Sequence, residues 1–387
     1  MSRLPEAREC WAVVAPGLEA LAAAELRALG LRPRAAEPGG VPFRATATGL
    51  FSANLRLRTA SRVIARIAAF EATSFRDLER LARGVPWEAF VAGGGRVRVS
   101  VTCRKSRLYH STGVADRVAG AIEKRVSGAT IVRSAAERDD DAAGELAQRF
   151  LVRFDHDVCT ISADSSGELL HRRGYRLATA KAPLRETIAS AMLMALGWEG
   201  TEPLMDPMCG AGTIPIEAAM VARRIAPGLA RSFAMEHWPG AERDSFAALR
   251  SAARAAVLPR TSVRILASDR DAGGVAAARA NAERAGVAAD IEFRECALSA
   301  VEPPGERGLL LTNPPYGARV GEKRALRDLY AQLGNVARRR CAGWTLSLLS
   351  ADRGLEAQLR LPLSEVLRFR NGGIPVRLVG AQLPERT

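Results

Sequence analysis

The sequence has few of the residues that build disulfide frameworks and metal sites. Six cysteines are scattered over 387 residues without a C-x-x-C pair, and the four histidines do not cluster. Cysteines at regular close spacing are typical of disulfide-rich scaffolds, and clustered cysteine and histidine ligands are typical of structural zinc sites. The sequence therefore indicates neither a disulfide framework nor a metal centre.

Long hydrophobic runs are also missing. No segment approaches the roughly 20 consecutive apolar residues that cross a bilayer, and the first ten residues, MSRLPEAREC, lack the apolar core of a signal peptide. Low-complexity tracts are absent, while 48% of the residues are hydrophobic. We therefore expect a soluble, cytoplasmic protein with two or three packed domains.

Lysine is scarce, yet the chain is strongly basic. Lysine occurs only at positions 105, 124, 181 and 323, but Lys+Arg of 56 against Asp+Glu of 42 leaves a net charge of +14. Such an excess attracts polyanions through phosphate contacts and counterion release. Nucleic acid is the expected partner, although genome composition also contributes to an excess of arginine.

The first half of the chain predicts α+β units in non-repeating order. Residues 11–31 predict a strand and a helix, 41–47 a strand, 49–69 an arginine-rich helical stretch, and 75–90 a helix broken at Gly84 and Pro86. Valines at every second position from 97 to 101, and alternation over 150–164, predict further strands.

The second half alternates β and α elements. Strands are predicted within 202–226, 261–287, 291–297, 308–311 and 344–349, with an amphipathic helix over 325–339. The run Asn371-Gly372-Gly373 between two β-rich segments predicts a hairpin. Alternating elements predict a doubly wound parallel sheet, whose ligands bind beyond the carboxyl ends of its strands.

The first special segment at such a strand end is DPMCGAGT, residues 206–213. Gly210 and Gly212 allow a tight turn close to a ligand, Thr213 is a candidate cap for the next helix, and Pro215 is tolerated in its first turn. The third glycine of a dinucleotide fingerprint is missing, which argues against a pyrophosphate cofactor. A carboxylate inside the turn favours a ligand that brings a positive or neutral group there.

The second strand of this half ends in an acidic pair. Asp269 is placed to accept hydrogen bonds from ribose hydroxyls, and Asp271 is placed to cap the next helix. The interval from Asp206 to Asp269 exceeds what one strand-helix-strand unit needs. We therefore interpret residues 227–258, which include RSFAMEHWPG, as an insertion.

The fourth strand of this half, GLLL, ends in Asn313-Pro314-Pro315-Tyr316. The Asn313 amide oxygen and the Pro314 carbonyl are two acceptors, and proline adds no donor. Two acceptors that hold the hydrogens of an exocyclic amino group would aim its nitrogen lone pair at an electrophile, while an aromatic ring stacks on the base. This chemistry rests on positioning and is suited to in-line methyl transfer from a sulfonium.

These segments resemble motifs I, II and IV of S-adenosylmethionine-dependent amino methyltransferases. The run from LLHRRGYR through APLRETIASAML, DPMCGAGTIPIEAAM, FAMEHWPG and NPPYGARVG to FRNGGIPVRL is similar to the bacterial guanine-N2 RNA methyltransferases with a THUMP domain, most closely the 23S rRNA type. Residues 93–166 resemble the THUMP domain itself.

The resemblance implies a Rossmann-like class I methyltransferase sheet with a terminal antiparallel hairpin, preceded by α+β ferredoxin-like and THUMP domains. The implied limits are 1–66 for the ferredoxin-like domain, 67–166 for the THUMP domain, 167–183 for a linker and 184–387 for the methyltransferase domain. It also implies S-adenosylmethionine as the methyl donor and N2 of a guanosine as the acceptor.

The resemblance further assigns roles to individual residues. Those implied for the donor are Asp206, Pro207, Gly210 and Gly212 around its methionine part, Asp269 at its ribose, and Asn313 beside it. The acceptor base is assigned to Asn313, Pro314, Pro315 and Tyr316. At the end of the third strand such enzymes usually have an aspartate at the adenine amino group, whereas this chain has Cys296 and Ala297. The adenine is therefore expected to contact Cys296 and Ala297, or backbone groups alone.

Two basic segments are expected to meet RNA phosphates. The residues are Arg104, Lys105 and Arg107, with Tyr109 for stacking, and Arg172, Arg173 and Arg176, with Tyr175 for stacking. The first segment could instead be a solvated surface. The second could instead brace the interface between the two halves.

Several other functions remain open at this point. A tRNA guanine-N2 methyltransferase is the nearest alternative, and the FAMEHWPG insertion favours rRNA over it. A DNA adenine methyltransferase shares the Asn-Pro-Pro-Tyr chemistry, but the RNA-binding module disfavours it. A 5-methylcytosine enzyme needs a nucleophilic cysteine, which the Asn-Pro-Pro-Tyr loop lacks. A non-catalytic ribosome-assembly factor would be expected to have degenerate donor motifs.

Overall fold

The computed structural model describes residues 7–132, 147–176, 184–316 and 323–385. The chain divides into two compact units. The first comprises residues 1–14, 22–170 and 231–252, and the second comprises residues 15–21, 171–230 and 253–387. Part of the predicted linker, residues 177–183, lies outside the described residues.

The first unit contains an eight-stranded sheet in the order β2-β3-β1-β4-β8-β7-β5-β6. Its strands are β1 (Arg8–Val13), β2 (Arg32–Pro33), β3 (Gly40–Ala45), β4 (Arg62–Glu71), β5 (Arg96–Arg104), β6 (Thr130–Ile131), β7 (Gln148–Asp155) and β8 (Val158–Asp164). Four helices accompany them in sequence: α1 (Glu19–Ala28), α2 (Ala47–Arg56), α3 (Phe75–Ala82) and α4 (Ser111–Arg125). The predicted α+β character of this half is confirmed.

One prediction for this half is wrong. The arginine-rich stretch 49–69 divides into α2 and the amino-terminal part of β4. Val63 and Ile64 are β-branched residues, and β4 pairs with β1 on one side and with β8 on the other. Burial between two partner strands outweighs local helix preference here. The predicted limit between residues 66 and 67 falls inside β4, so the two predicted amino-terminal domains share one sheet.

The predicted insertion contributes residues 231–252 to this first unit. Phe246 of α7 (Arg243–Ala255) stacks on Phe51 with ring centroids 4.5 Å apart. Trp238 meets Phe90 edge to face at 4.9 Å, and its indole N–H donates to Gln148 Oε1 at 2.7 Å. The FAMEHWPG segment is therefore part of the aromatic core of this unit, where such ring pairs contribute about 1 kcal/mol each beyond burial.

The second unit contains a seven-stranded sheet in the order β11-β10-β9-β12-β13-β15-β14. Its strands are β9 (Leu204–Asp206), β10 (Ile265–Asp269), β11 (Ile291–Glu295), β12 (Leu309–Thr312), β13 (Thr345–Ser350), β14 (Ser364–Asn371) and β15 (Ile374–Gln382). Its helices are α5 (Glu186–Ala195), α6 (Thr213–Ala222), α8 (Ala272–Arg284), α9 (Lys323–Arg340) and α10 (Arg353–Glu356).

Strands β9 to β13 of this sheet run parallel to one another. Strand β15 runs antiparallel to β13, and β14 runs antiparallel to β15. This is the sheet with a terminal hairpin that the sequence predicts. The predicted apolar face of α9 is also confirmed, because Tyr330, Leu333 and Val336 are buried against the sheet residues Leu310 and Leu346. Each such side chain stabilises the fold by about 2 kcal/mol through burial.

Among the described residues, no helix combines the length and the apolar character that crossing a membrane requires.

Candidate active site

The polar residues singled out in the sequence meet at one edge of the second sheet. Asp206 ends β9, Asp269 ends β10 and Thr312 ends β12, immediately before Asn313. Strand β9 lies between β10 and β12, and all three run in the same direction. Their carboxyl ends therefore bring residues about 60 and about 100 positions apart in sequence to one edge, as expected for a doubly wound sheet.

The turn after β9 is held against β10 by a backbone hydrogen bond. The amide of Gly210 donates to Asp269 Oδ2 at 2.9 Å. Gly212 has φ +82°, and a Cβ there would lie 2.8 Å from the Cβ of Ala278 on α8. Gly210 has φ +48°, but no described atom lies within 4 Å of the position its Cβ would take. Gly212 thus permits helix packing, whereas Gly210 leaves space beside the backbone for a ligand.

Asp206 lies at the centre of this edge and is only 2% exposed. Its Oδ1 accepts from the Thr312 hydroxyl at 2.7 Å and from the Met208 amide at 3.2 Å. Burial raises the pKa of the Asp206 carboxyl to about 7, against the opposing effect of these two hydrogen bonds, and the charge of Asp269 raises it further. A buried carboxyl with so strongly raised a pKa is a candidate functional group, and a positive group bound beside it would favour its ionised form.

One prediction for this turn is wrong. Thr213 does not cap α6, because Gly212 occupies the N-cap position and Thr213 is the first helical residue. The Thr213 hydroxyl instead accepts from the Arg176 guanidinium at 2.6 Å. Pro215 lies in the first turn of α6, as predicted.

The two members of the acidic pair after β10 have different hydrogen-bond partners. Asp271 is the N-cap of α8 and accepts from the Gly274 amide at 2.9 Å, which confirms its predicted structural role. Asp269 accepts one backbone N–H at each oxygen, from Gly210 and from Asp271. Each carboxylate oxygen has a further lone pair, so Asp269 can still accept from a hydroxyl group.

Cys296 and Ala297 follow β11 on the outer side of β10. The Cys296 amide donates to the Asp269 backbone carbonyl at 3.0 Å, and its side chain packs against the core. Ala297 is exposed. The contact of these two residues with a donor adenine stays a prediction.

The Asn-Pro-Pro-Tyr loop presents an unused acceptor. Asn313 Oδ1 is buried and has no hydrogen-bond partner among the described residues. Pro314 is buried and Pro315 is exposed, with the Pro315 carbonyl 3.5 Å from the Tyr330 hydroxyl. Leaving a buried acceptor unpaired costs about 1–3 kcal/mol, a cost that a bound N–H donor would remove. The loop therefore fits a ligand that brings such a donor.

These residues fit S-adenosylmethionine together with an amino-group acceptor. Asp206 and Asp269 offer anionic oxygens to a cationic donor with ribose hydroxyls, and the space at Gly210 lets the donor approach the backbone. Asn313 offers the methyl acceptor an oxygen that no described residue uses. Cys209 is no nucleophile, because burial and the neighbouring Asp206 and Asp269 raise the pKa of its thiol far above neutrality.

The first basic segment lies on the surface of the first unit. Arg104, Lys105, Arg107 and Tyr109 are all exposed, and Tyr109 is 67% exposed. The Arg107 amide donates to Asp157 Oδ1 at 2.6 Å, which anchors the segment to the turn between β7 and β8. Exposed cations beside an exposed aromatic ring are compatible with the predicted contact to RNA, which stays a prediction.

The structure contradicts the RNA role predicted for Arg173 and Tyr175. Each is only 3% exposed, so neither can meet a phosphate or stack on a base. The Tyr175 hydroxyl donates to Glu217 Oε1 at 3.2 Å, and Arg173 Nε lies 3.5 Å from the same oxygen. Glu217 is fully buried on α6 and also accepts from the Ser190 hydroxyl at 2.6 Å.

Arg176 is likewise engaged within the second unit. Its guanidinium pairs with Glu186 at 3.2 Å and donates to Thr213. The segment thus braces α5 and α6 around a buried carboxylate, and of its four predicted RNA contacts only Arg172 is left as a candidate. A buried charge needs such partners because desolvation is otherwise costly.

Tyr175→Phe is expected to lower the free energy of unfolding by about 1–3 kcal/mol, since it removes a hydroxyl donor from a buried carboxylate. Urea denaturation measures this change. Tyr109→Phe is the matched control, because Tyr109 is exposed and its hydroxyl should contribute nothing measurable. Equal stability of Tyr175→Phe and the parental protein would contradict the bracing role.

Two contacts at the site were not identified from the sequence. Thr312 links the end of β12 to Asp206, and Asn371 lies at the end of β14 with its Nδ2 3.4 Å from the Tyr316 hydroxyl. Thr312 precedes Asn313 directly, so its place at a strand end was a usable signal. Asn371 was recognised only as a turn residue, because pairing across the sheet is needed to bring it to Tyr316.

The second unit has the sheet of a class I methyltransferase, with its polar groups gathered where that class binds S-adenosylmethionine. Comparison with known proteins makes the assignment more specific. Residues 173–379 match the family described as the RMKL-like methyltransferase domain. Residues 9–64 match the RlmL ferredoxin-like domain, and residues 72–164 match the THUMP domain. The chain belongs to the RMKL-like methyltransferase family, which confirms the resemblance inferred from the motifs.

Individual relatives extend over almost the whole chain. A Synechocystis protein named "Putative RNA methyltransferase" is 34% identical over 97% of this chain and 97% of its own length. The ribosomal RNA large subunit methyltransferase K/L of Syntrophotalea carbinolica is 35% identical over 97% of this chain, but over 54% of its own length. The chain thus spans about half the length of the K/L relatives.

A solved structure agrees with the fold. The protein SMU.472, solved in complex with SAH, is 27% identical, with a TM-score of 0.85 over 99% of this chain and all of its own length. The family match and the class I sheet make the protein described here a methyltransferase that depends on S-adenosylmethionine.

Proposed function

We propose that the protein methylates the N2 amino group of a guanosine in 23S ribosomal RNA. The observation that carries the proposal is the buried Asn313 Oδ1 directly after β12, for which the described part of the chain offers no hydrogen-bond partner. A guanine amino group has two N–H donors, which match this oxygen and the Pro314 carbonyl. The family and the THUMP match support RNA as the class of substrate.

When bound, S-adenosylmethionine supplies a methyl carbon on a positively charged sulfur. Asp206 and Asp269 are the residues that would hold the donor, with Gly210 giving access to the backbone. Thr312 fixes the position of Asp206 relative to Asn313 through its 2.7 Å hydrogen bond. The residues for the methyl donor and the residues for the methyl acceptor therefore lie at the ends of adjacent strands. This arrangement favours the short distance between donor and acceptor that in-line transfer needs.

On the acceptor side, Asn313 and Pro314 orient the amino group and Tyr316 offers a ring to the base. Both acceptors are neutral, so this loop positions the nitrogen and does not act as a strong base. The target base has to leave its stack to reach such a loop. Unstacking costs a few kcal/mol, and the Tyr316 ring offsets part of it by stacking.

Nucleoside analysis of a strain that lacks the gene tests the proposal. The expected result is loss of N2-methylguanosine from 23S rRNA and its return with the parental gene. Loss of N2-methylguanosine from tRNA alone would show that the substrate is tRNA. Loss of methylated adenine from DNA would contradict the proposal. If no modified nucleoside changes, a non-catalytic role in ribosome assembly is favoured.

Arg104→Ala combined with Lys105→Ala is expected to weaken RNA binding at every sequence tested. Because each phosphate contact releases counterions, the slope of log affinity against log salt should fall by about 1 per residue. Filter binding from low to moderate salt measures both effects. Arg307→Ala is the control, since Arg307 is an exposed arginine that pairs with Glu385. An unchanged slope in the double variant would remove this segment from the RNA interface.

A further inference from the structure

The hairpin of β14 and β15 places two side chains beside the Asn-Pro-Pro-Tyr loop. Asn371 ends β14, Ile374 begins β15, and the two residues pair across the hairpin. The turn between them is Gly372-Gly373, with φ of +57° and +88°, as a two-residue type I′ turn requires. Paired residues of antiparallel strands point to the same face, so Asn371 and Ile374 share one.

Asn371 reaches the aromatic residue of the loop. Its Nδ2 lies 3.4 Å from the Tyr316 hydroxyl, at the far end of the ring. Ile374, on the same face, is 54% exposed and is among the most exposed large apolar side chains of the described chain. Arg370 braces the turn by donating to the Gly373 carbonyl at 3.2 Å. A polar group in contact with the ring that is assigned to the base and an exposed apolar group therefore share one face of the hairpin tip.

We propose that the hairpin tip is part of the acceptor site, with Asn371 positioning the Tyr316 ring and Ile374 contacting the RNA beside the extruded base. This inference rests on the proposed function and extends it to residues outside the loop. Tyr316 is attached at one end of its ring only, and a hydrogen bond at the other end limits rotation of the side chain. A ring held in one orientation stacks on a base with a smaller loss of entropy.

The length of the contact indicates when it acts. At 3.4 Å the hydrogen bond is longer than the usual 3.2 Å limit and stabilises the free protein only weakly. Contacts of this kind often tighten when a substrate packs against them. Asn371 should therefore affect turnover on RNA more than it affects folding.

Ile374 has a separate role in the proposal. A single exposed apolar residue needs no explanation by itself. Here it lies on the face that also carries Asn371, next to the place where a base must leave its stack. Proteins that unstack bases commonly fill the gap with an apolar side chain. The partner surface is thus an RNA strand opened at the target nucleotide.

A double-mutant cycle of Asn371→Ala and Tyr316→Phe tests the positioning role. Asn371→Ala alone is expected to lower kcat/KM for RNA about three- to tenfold, the effect of one hydrogen bond. In the Tyr316→Phe background the same change should cost less than about twofold, because the hydroxyl partner is already gone. Calorimetry with SAH should give the same donor Kd for all four proteins.

Asn335→Ala, an exposed asparagine on α9, is the control for the cycle and should leave kcat/KM unchanged. Equal losses in both backgrounds would overturn the positioning role, and so would a weaker donor Kd. The identity of the methylated nucleoside is read in the same assay. A product other than N2-methylguanosine overturns the proposed function while the cycle still decides the role of Asn371. A parental protein inactive on every nucleic acid overturns both.

Ile374→Ala is expected to raise KM for RNA severalfold with little change in donor Kd. Val366→Ala is the matched control, since Val366 is also a β-branched, exposed residue of this hairpin and is 39% exposed. An equal rise in KM for both variants would mean a general effect on the hairpin. No rise for Ile374→Ala would overturn its contact with RNA.

Discussion

Replacing Asn313 by alanine is expected to lower kcat for RNA methylation roughly 100- to 1,000-fold, the range for losing one preorganised polar group at a reacting centre. The variant removes the buried Oδ1 that has no partner among the described residues. Donor Kd, measured by calorimetry with SAH, should change little, because the donor turn is held by Asp269 and Thr312 and not by Asn313. Single-turnover kinetics separate the chemical step from RNA binding.

Asn313→Asp is the informative second variant, because a carboxylate keeps an acceptor at the same position. It is expected to retain more activity than Asn313→Ala, although its charge and desolvation lower the rate below the parental value. Asn335→Ala controls for the loss of an amide elsewhere. If Asn313→Ala methylates RNA at the parental rate, the amino group is not held by this oxygen and the assignment of the loop is wrong.

The sequence predicted which residues meet at one edge of the sheet where the ends of parallel strands alone decide it. Asp206, Asp269 and Asn313 each follow an apolar run, and parallel strands deliver their carboxyl ends to the same edge whatever the intervening loops do. The cap at Asp271 was predictable for a similar reason, since capping depends on residues three positions apart. The packing of residues 231–252 in the first unit was not predictable. The long interval between Asp206 and Asp269 indicates an insertion, but it does not indicate which part of the protein the insertion packs against.

The sequence predictions were wrong where one local pattern is compatible with two different structures. A cluster of arginines is compatible with RNA phosphates and equally with a buried carboxylate. For Arg173 the partner is Glu217, 44 positions further along the chain. The stretch 49–69 has residues that tolerate a helix, yet pairing on both sides makes its second part a strand. Thr213 is a good cap by type, but the left-handed Gly212 takes that place.

The distance of Asn371 from Tyr316 in sequence explains why its contact escaped notice. The two residues are 55 positions apart, and their approach depends on antiparallel pairing of β15 with β13 at the end of a parallel sheet. Turn chemistry predicted the hairpin at Gly372 and Gly373 but not the strand beside which it lies. Side-chain contacts across a sheet edge therefore needed the structure.

The buried Asp206 carboxyl is expected to bind the donor but to destabilise the protein when no donor is bound. Its pKa is raised from the ordinary 3.8 to about 7, chiefly by burial. Below about pH 4 the carboxyl is protonated in both the folded and the unfolded state and has no effect. Between about pH 4 and pH 7 only the unfolded carboxyl ionises, so its contribution to stability falls as pH rises. Above pH 7 the loss is constant, at most about 4 kcal/mol for three pKa units.

Asp206→Asn removes this titration while it keeps an oxygen that can accept from Thr312 and Met208. The variant should therefore gain in free energy of unfolding relative to the parental protein, by more at pH 8 than at pH 5. Its donor Kd should weaken at least about tenfold, because a cationic donor loses an anionic partner. Urea denaturation at both pH values and calorimetry with SAH measure the two effects.

Asp328→Asn, at an exposed position on α9, should change stability equally at the two pH values and leave donor Kd unchanged. A stability difference for Asp206→Asn that does not depend on pH would show that the buried carboxyl is already ionised at pH 5. An unchanged donor Kd would show that the donor binds away from Asp206. If Asp206→Asn gains stability and loses donor binding, Asp206 is retained for function and not for folding. Only the bound donor then compensates for the cost of burying the Asp206 charge.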